Sequence, residues 1–433
     1  MSGLRAGAMG IPFIPVRGIL GSDYLRVQPR FKVIRCPFSG HQTVVVEAIT
    51  PDVSVIHALK ADERGNVLIE RHSDVDLAVK AAKKAIATVE EVVKEGELVG
   101  DEKTRLISWI NFYAIVHVPF GAHPVSCPGY YCIDRDHMTR YVKMAADEEL
   151  FRTYLKNYIY DLTGHDDYIR LVKQEGWRPQ YRDDRDKHSM SPGKGDYTLD
   201  ELIMTLIARE VNDGTCVAIG TLSPVPAAGC ILASLTTAPH VKLIILGDPD
   251  SPLDRGSSQL FDMAQRGLID LFFLSFVQMD GDCNLNLTVI GEHQKPLIRF
   301  PGGAGSSMLY HMAKKIIMFK MSHTKRDFVS KVDFITCSGF NAGLNDWQRP
   351  GGPYKIITNL AVMRADRERK RVILESVHPG VSPRKVVENT GFEIEVPSSV
   401  PETEPPNTEQ LEILRTKVRE KLAGIYREYS RRW

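Results

Sequence analysis

Apolar residues recur along the chain at two periods, and the alternation between the two sets the expected architecture. Thr43–Ala48 and Val53–Leu59 read as short strands rich in β-branched residues, the second running into the polar stretch Lys60–Asn66. From Val75 to Ile86, Val75, Leu77, Ala78, Ala81, Ala82, Ala85 and Ile86 share one face at helical spacing, and Ser73 with Asp76 three positions later resembles an N-terminal cap. Ala87–Val93 then predicts a strand. Residues 136–172 predict amphipathic helix, with Met144, Leu150, Tyr154, Ile159 and Leu162 as core contacts. Thr198 caps a helix expected through Glu210. Thr215–Ile219, Val241–Leu246 and Leu268–Phe276 are apolar runs that read as buried strands. Leu411, Leu414, Val418, Leu422 and Ile425 mark a terminal helix docked by one face. Strands alternating with helical patterns predict an α/β fold. Strand ends rich in Gly and Asp place their loops on one rim, where open α/β sheets bind ligands.

At 433 residues the chain is too long for one ordinary core. The stretch 178–197, rich in Asp, Arg, Lys, Ser, Pro and Gly, carries little to bury and reads as a linker. It divides the chain into 1–177 and 198–433. The two parts share short patterns in the same order. Ala58–Val67 matches Phe276–Leu285, an apolar strand end followed by Asp and then Asn four positions on; Val118–Pro124 matches Phe300–Ser306. A duplicated unit accounts for both.

Charge and cysteine usage narrow the classes. The 55 Lys and Arg nearly balance the 54 Asp and Glu, so no global field recruits nucleic acid or an anionic membrane. Seven dispersed Cys without paired spacing point to a reduced, cytoplasmic setting. The 13 His are dispersed too, with no pair four apart on a helix, so no metal site is expected. No stretch of eighteen apolar residues occurs, and Met1–Gly10 lacks the pattern of a secretory signal, so no membrane partner is expected.

Several motifs together carry a family resemblance. Leu4–Phe13, Cys36–Gly40, Ala61–Val67 and Val118–Pro124 resemble the alpha subunit of class I CoA-transferases, most closely the glutaconate CoA-transferase type. Ala218–Thr221, Gln278–Asn284, Gly291-Glu292, Pro301–Gly305 and Ile357–Val362 resemble the beta subunit. The resemblance implies an α/β protein of two related open-sheet domains of the CoA-transferase (NagB/RpiA-like) type. The first domain, 1–177, is alpha-subunit-like and truncated, because alpha subunits of this type carry a strand and a Gly-rich turn roughly a hundred residues before the region that opens this chain. The second, 198–433, is beta-subunit-like with a terminal helix.

The resemblance also implies a reaction. In the transferases a Glu at the end of a beta-subunit strand attacks the thioester carbonyl, giving an acyl-glutamyl anhydride and then a glutamyl-CoA thioester. The matching strand here is Val241–Asp248, and the position of that Glu holds Leu246. The next carboxylate, Asp248, either reaches substrate from the loop or forms a turn before Pro249. Leu222 stands where the family's loop has a second Gly, and Cys283 stands where the first repeat has Gly65.

The expected site follows. Gly302, Gly303, Ala304, Gly305 and Ser306 form a loop whose N–H groups can converge on an oxygen anion, with Arg299 before it and Gly220 and Thr221 on a second loop, all directed at coenzyme A. Gly121 and His123 form the corresponding loop of the first domain, where His123 either exchanges protons with substrate or is held by the backbone at a turn. Arg26 and Arg35 are candidates for a substrate carboxylate, each alternatively a surface charge. Glu292 is a candidate general acid–base group. The expected activity is CoA transfer between carboxylic acids, with the acyl-CoA thioester as substrate and no permanently bound cofactor. Because of Leu246, hydrolysis, decarboxylation or carbon–carbon cleavage of an acyl-CoA on the same fold, and a non-catalytic acyl-CoA-binding role, stand as alternatives. A homo-oligomer or a companion subunit is expected to cover what the truncated domain exposes.

Overall fold

The computed structural model describes residues 1–179, 197–340, 343–344 and 348–433. The linker expected at 178–197 lies almost entirely outside the described residues. The rest gathers into two compact units, and chain order does not follow them. Met1–Pro12, residues 48–179 and Asp254–Gly256 form unit 1; Phe13–Glu47, residues 197–253 and Ser257–Trp433 form unit 2.

The excursion into unit 2 is a three-stranded antiparallel sheet of β1 (Phe13–Val16), β2 (Phe31–Arg35) and β3 (Gln42–Glu47), with β3 central. The unit 1 sheet comprises β4 (Val53–Asp62), β5 (Val67–Glu70), β6 (Lys84–Val93), β7 (Thr104–Ile107) and β8 (Ala114–His117), in the order β7-β5-β4-β6-β8. β4, β6 and β8 run parallel. Ile56, Ala58, Ala85, Ala87 and Val89 face one core, where Val79 of the Val75–Ala81 helix joins them. That helix is shorter than its apolar spacing predicts. Ala82 is extended, and Ala85 begins the period-two face of β6. Alanines at 81, 82 and 85 fit both periods, and strand pairing decides between them.

Residues 136–172 are not one helix but the pieces Arg135–Ala145, Glu148–Leu155, Lys156–Tyr160 and His165–Gln174. The third is a π-turn, which shifts the inward face by one position. Tyr154, Tyr158, Val172 and Trp177 therefore form the core, while the expected contacts Leu150 and Ile159 are exposed.

Unit 2 is built on β9 (Cys216–Ile219), β10 (Lys242–Ile245), β11 (Leu271–Leu274), the short strands β12 (Gln278–Met279), β13 (Leu285–Asn286), β14 (Val289–Gly291) and β15 (Pro296–Arg299), then β16 (Lys315–Phe319), β17 (Pro353–Ile357), β18 (Ala361–Asp366) and β19 (Arg371–Val377). Its main sheet has the order β10-β9-β11-β16-β17-β18-β19, parallel through β17 and antiparallel beyond. Apolar cores lie on both faces, which is why β9 and β11 are buried at every position. Thr198 and Glu201 form the reciprocal cap that starts the Leu199–Arg209 helix. Leu414, Val418 and Leu422 of the C-terminal helices enter the same core.

The first sequence repeat is a structural one. In unit 1 the N–H and side-chain amide of Asn66 both donate to Asp62, at 2.8 Å; in unit 2 Asn284 does the same to Asp280, at 3.0 and 3.1 Å. Gly65 and Cys283 take the same left-handed turn position, φ +99° and +58°, so Cys283 carries strain that Gly65 avoids. The strand order β4-β6-β8 repeats as β11-β16-β17. The second sequence match does not hold in the fold. Val118–Pro124 follows the third of these strands, whereas Phe300–Ser306 precedes the second, so the two loops occupy different places in their sheets.

Candidate functional site

In a right-handed parallel α/β sheet, the loop after each strand and the start of the following helix lie on one rim. In unit 2 that rim carries the turns after β9 and β10 and the glycine loop before the Ser306–Met312 helix. Gly220 ends β9, and its carbonyl accepts the Tyr426 hydroxyl at 3.0 Å. Thr221 faces the β10 turn: a Cβ built on Gly247 would lie 3.5 Å from the Thr221 methyl. Leu222 is 91% exposed, an apolar side chain held out beside this rim.

The glycine loop is seated on groups distant in sequence. The Tyr24 hydroxyl bonds Thr288 at 3.1 Å and accepts the Gly303 N–H at 3.4 Å. A Cβ on Gly303 would lie 2.5 Å from the Thr336 methyl, and one on Gly305 would lie 2.1 Å from the Phe261 ring. Both glycines are therefore required by packing. Ala304 turns through φ +45° with its side chain exposed. Ser306 N–H closes the turn onto Gly303 O at 2.7 Å, and Ser307 donates to Thr336 O.

Tyr24 belongs to the Phe13–Glu47 segment, which several long-range bonds fix within unit 2. Ile335 N–H donates to the Asp23 carboxylate at 2.8 Å, Arg17 donates to Gln265 O at 2.7 Å, and Ser338 donates to Leu20 O at 2.9 Å. The same segment carries Arg26, exposed and 3.3 Å from Asp23, and Arg35, which donates to Gly40 O at 3.2 Å. Both arginines thus share a unit with the glycine loop. Neither the spacing nor the type of Tyr24 marks it in the sequence.

The position expected for a nucleophile is apolar in structure as well as in sequence. Leu246 follows β10, its N–H bonded to Ile219 O at 3.0 Å, and its side chain packs on the core. Asp248 forms the turn: one carboxylate oxygen accepts the Asp250 N–H at 2.9 Å, and its carbonyl accepts the Ser251 N–H at 3.1 Å. Arg299 and Glu292 sit on the projecting β14–β15 hairpin. Arg299 donates to His293 O, and Glu292 is exposed at the tip.

In unit 1 the Pro119–Pro124 loop is fixed from below by Glu90. This buried carboxylate bonds His57 Nε2 at 2.7 Å and accepts from Tyr131 OH at 2.8 Å and Phe120 N–H at 2.7 Å. Burial pushes Glu90 upward, but these donors outweigh it and hold its pKa below the usual carboxylate value. Tyr131 OH also accepts Ala122 N–H at 2.9 Å. Gly121 is confined, since a Cβ there would meet the His57 ring at 2.8 Å. His123 is buried against Trp177, with Nδ1 2.8 Å from Tyr168 OH and Nε2 3.2 Å from Asp134. Burial lowers its pKa, with Asp134 opposing, so the ring is neutral at pH 7. One ligand-type atom from each of His57, Glu90 and Cys127 lies within 4.8 Å of the others. Their polar atoms are already committed to one another and to Thr88, and burial followed by Glu90 pushes the Cys127 thiol up to about 12. The group is a hydrogen-bonded knot under the loop.

Unit 2 is thus a two-faced parallel α/β sheet whose rim carries a glycine loop and a strand-end turn, and unit 1 is an α/β sheet with a buried carboxylate knot under its own loop. The sequence matches the Coenzyme A transferase family model over residues 1–117 and 248–389. It is 35% identical over 244 residues to the B subunit of 3-oxoadipate CoA-transferase from Pseudomonas knackmussii, covering 51% of this chain and 92% of that one. It is 41% identical over 155 residues to the A subunit of the same enzyme, covering 36% of this chain but only 54% of that one. An acyl-CoA transferase of Escherichia coli O157:H7, solved as a thioester complex with CoA, has the same fold at 16% identity, with a TM-score of 0.64 over 93% of this chain and 73% of that one. The chain belongs to the coenzyme A transferase family and resembles the A and B subunits joined in one polypeptide. It is an enzyme of the CoA-transferase superfamily acting on an acyl-CoA thioester. Among the described residues no helix is long and apolar enough to cross a membrane.

Proposed function

We propose that the chain transfers CoA between two carboxylic acids, with the CoA arm received at the unit 2 rim by Gly220, Thr221, the Gly302–Ser306 loop and Arg299. The observation that carries this reading is the glycine loop, held by Tyr24 and Thr336 beside the helix start, where backbone donors are fixed before ligand arrives. Arg26 and Arg35, in the same unit, are the proposed contacts for the carboxylate substrate. Residues 1–177 are proposed as the alpha-subunit-like part and 198–433 as the beta-subunit-like part, with a homo-oligomer or a companion subunit as the proposed assembly. The seven free cysteines fit a reducing, cytoplasmic compartment.

Leu246 cannot carry the acyl group, and Asp248 is the proposed carrier in its place, two residues along the same turn. Its carboxylate attacks the thioester carbonyl and expels CoA thiolate, giving a mixed anhydride. The thiolate then attacks the aspartyl carbonyl, releasing the first carboxylate and leaving an aspartyl-CoA thioester. The second acid reverses these steps. Glu292 and His123 remain proposed acid–base groups, Glu292 from an exposed tip and His123 only when its contacts with Tyr168 and Asp134 loosen. The test is incubation with acyl-CoA, borohydride reduction and peptide mapping. A reduced residue at Asp248 is expected and is absent in Asp248→Asn. Acyl-CoA consumed with no modified acidic residue would sink the transfer reading in favour of hydrolysis, decarboxylation or carbon–carbon cleavage.

A further inference from the structure

The turn between β9 and the Pro224–Leu235 helix has few means of holding its own shape. Gly220 begins it, Thr221 and Leu222 are exposed, and Ser223 caps the helix with no side-chain bond to it. Pro224 and Pro226 remove two N–H groups from the first helical turn. Among the described residues no backbone bond joins Ser223 N–H to Gly220 O across the turn. A hydroxyl 206 positions further along the chain takes that place. Tyr426 OH donates to Gly220 O at 3.0 Å, and the Ser223 N–H bears on the same hydroxyl oxygen. Thr221 and Leu222 lie between the two strapped ends, and among the described residues their N–H groups meet no backbone acceptor.

Tyr426 stands where the C-terminal helix breaks. Between the Arg419–Ile425 and Arg427–Arg432 helices its backbone turns to φ −125°, ψ 60°, and the ring packs on the core that holds Leu414, Val418 and Leu422. The break is pinned on both sides. Tyr426 N–H donates to Leu422 O at 2.6 Å and Ser430 N–H to Tyr426 O at 3.0 Å; Arg419 donates to Ser430 O at 3.0 Å, and Tyr429 OH donates to Asp200. Burial raises the Tyr426 hydroxyl to about 12, with Ser223 opposing and Asp248 adding to it. At neutral pH the hydroxyl therefore keeps its proton and remains a donor to Gly220.

We propose that Tyr426 is a positioning residue for acyl-CoA: by strapping Gly220 to Ser223 it holds the Thr221 and Leu222 N–H groups ready for the CoA arm, on the rim beside the Asp248 turn. This rests on the placement of CoA at the unit 2 rim proposed above. Exposed backbone donors serve a ligand oxygen only when their direction is set, and a glycine-led turn left to itself samples many directions. A turn fixed beforehand loses less conformational freedom when ligand arrives, so the strap acts on affinity. It reaches the site from the opposite end of unit 2's chain, through a side chain that touches the turn and not the ligand.

The experiment compares the full chain with its Tyr426→Phe and Tyr429→Phe variants, using coenzyme A as the probe, by titration calorimetry and amide hydrogen exchange. Tyr426→Phe keeps the ring and its packing and removes only the strap. Without ligand, its Ser223 amide is expected to exchange at least tenfold faster than in the unaltered chain, and its Kd for CoA to rise at least fivefold. Tyr429→Phe loosens the same helix without touching the turn. It should lower the melting temperature and leave both readouts unchanged, which separates positioning from docking of the C-terminal helix. Unchanged Ser223 exchange or unchanged CoA affinity in Tyr426→Phe would overturn the proposal, as would equal effects in Tyr429→Phe. CoA that fails to slow exchange at Thr221 and Leu222 in the unaltered chain would sink the placement of CoA on this turn, and the proposal with it. Slowed exchange there with unchanged affinity in Tyr426→Phe would sink the proposal alone.

Discussion

Glu90 concentrates more of the first unit's polar structure than any residue that motif spacing points to. It is 5% exposed and ties β4, through His57, to the loop at Phe120 and to Tyr131. Glu90→Ala leaves three buried donors unsatisfied and should cost about 3 kcal/mol, read as a lower urea midpoint at constant slope. His323 offers a second residue-scale test. It lies between Thr358 and Thr390, each 3.0 Å away, and burial lowers its pKa to about 4. The unfolded chain then takes up a proton near pH 6.5 that the folded protein refuses until about pH 4. Stability should hold above pH 6.5 and fall as pH drops through that window, by roughly 3 kcal/mol from this group. Burial lowers His123, His137 and His378 in the same direction. Asp76 acts in a lower window. Burial raises it, but Arg105 and Lys80 outweigh that and bring it to about 2. Its contribution, present above about pH 4, disappears as pH falls through 2. Denaturant midpoints from pH 8 to pH 2 should show both declines, and His323→Gln should lessen only the first.

At the scale of elements, the glycine loop separates packing from ligand contact. Gly305→Ala pushes a methyl into Phe261 and should cost about 2 kcal/mol. Gly220→Ala meets nothing nearer than Ser223 Oγ at 3.5 Å and should change stability by less than about 0.5 kcal/mol. Under the proposed function both raise the KM for acyl-CoA. Melting curves with initial-rate kinetics on the two variants separate these effects, and an unchanged KM in Gly220→Ala would remove that turn from the CoA site. Element boundaries show where local sequence suffices. The Thr198–Glu201 cap lies within one turn and is legible in the sequence. The end of the Val75–Ala81 helix is not, because alanines at 81, 82 and 85 suit either period and the partner strands β4 and β8 make the choice. The π-turn at Lys156–Tyr160 likewise moves the buried face from Ile159 to Tyr158.

At the scale of the whole molecule, the chain holds two units with separate cores, and each is expected to unfold as its own cooperative step. Calorimetry should resolve two transitions, and a single one would show that the cores are coupled. Sequence by itself determined the α/β class, the Asp62–Asn66 and Asp280–Asn284 turns, and the family. All of these are written in residues within a few positions of one another, where periodicity, turn chemistry and motif spacing act. Tertiary structure alone decided that Phe13–Glu47 joins unit 2, that Tyr24 reaches a glycine 279 positions away, and that Glu90 gathers the first loop. Each depends on which distant surfaces are buried against one another, and burial is a property of the packed chain that local pattern does not encode.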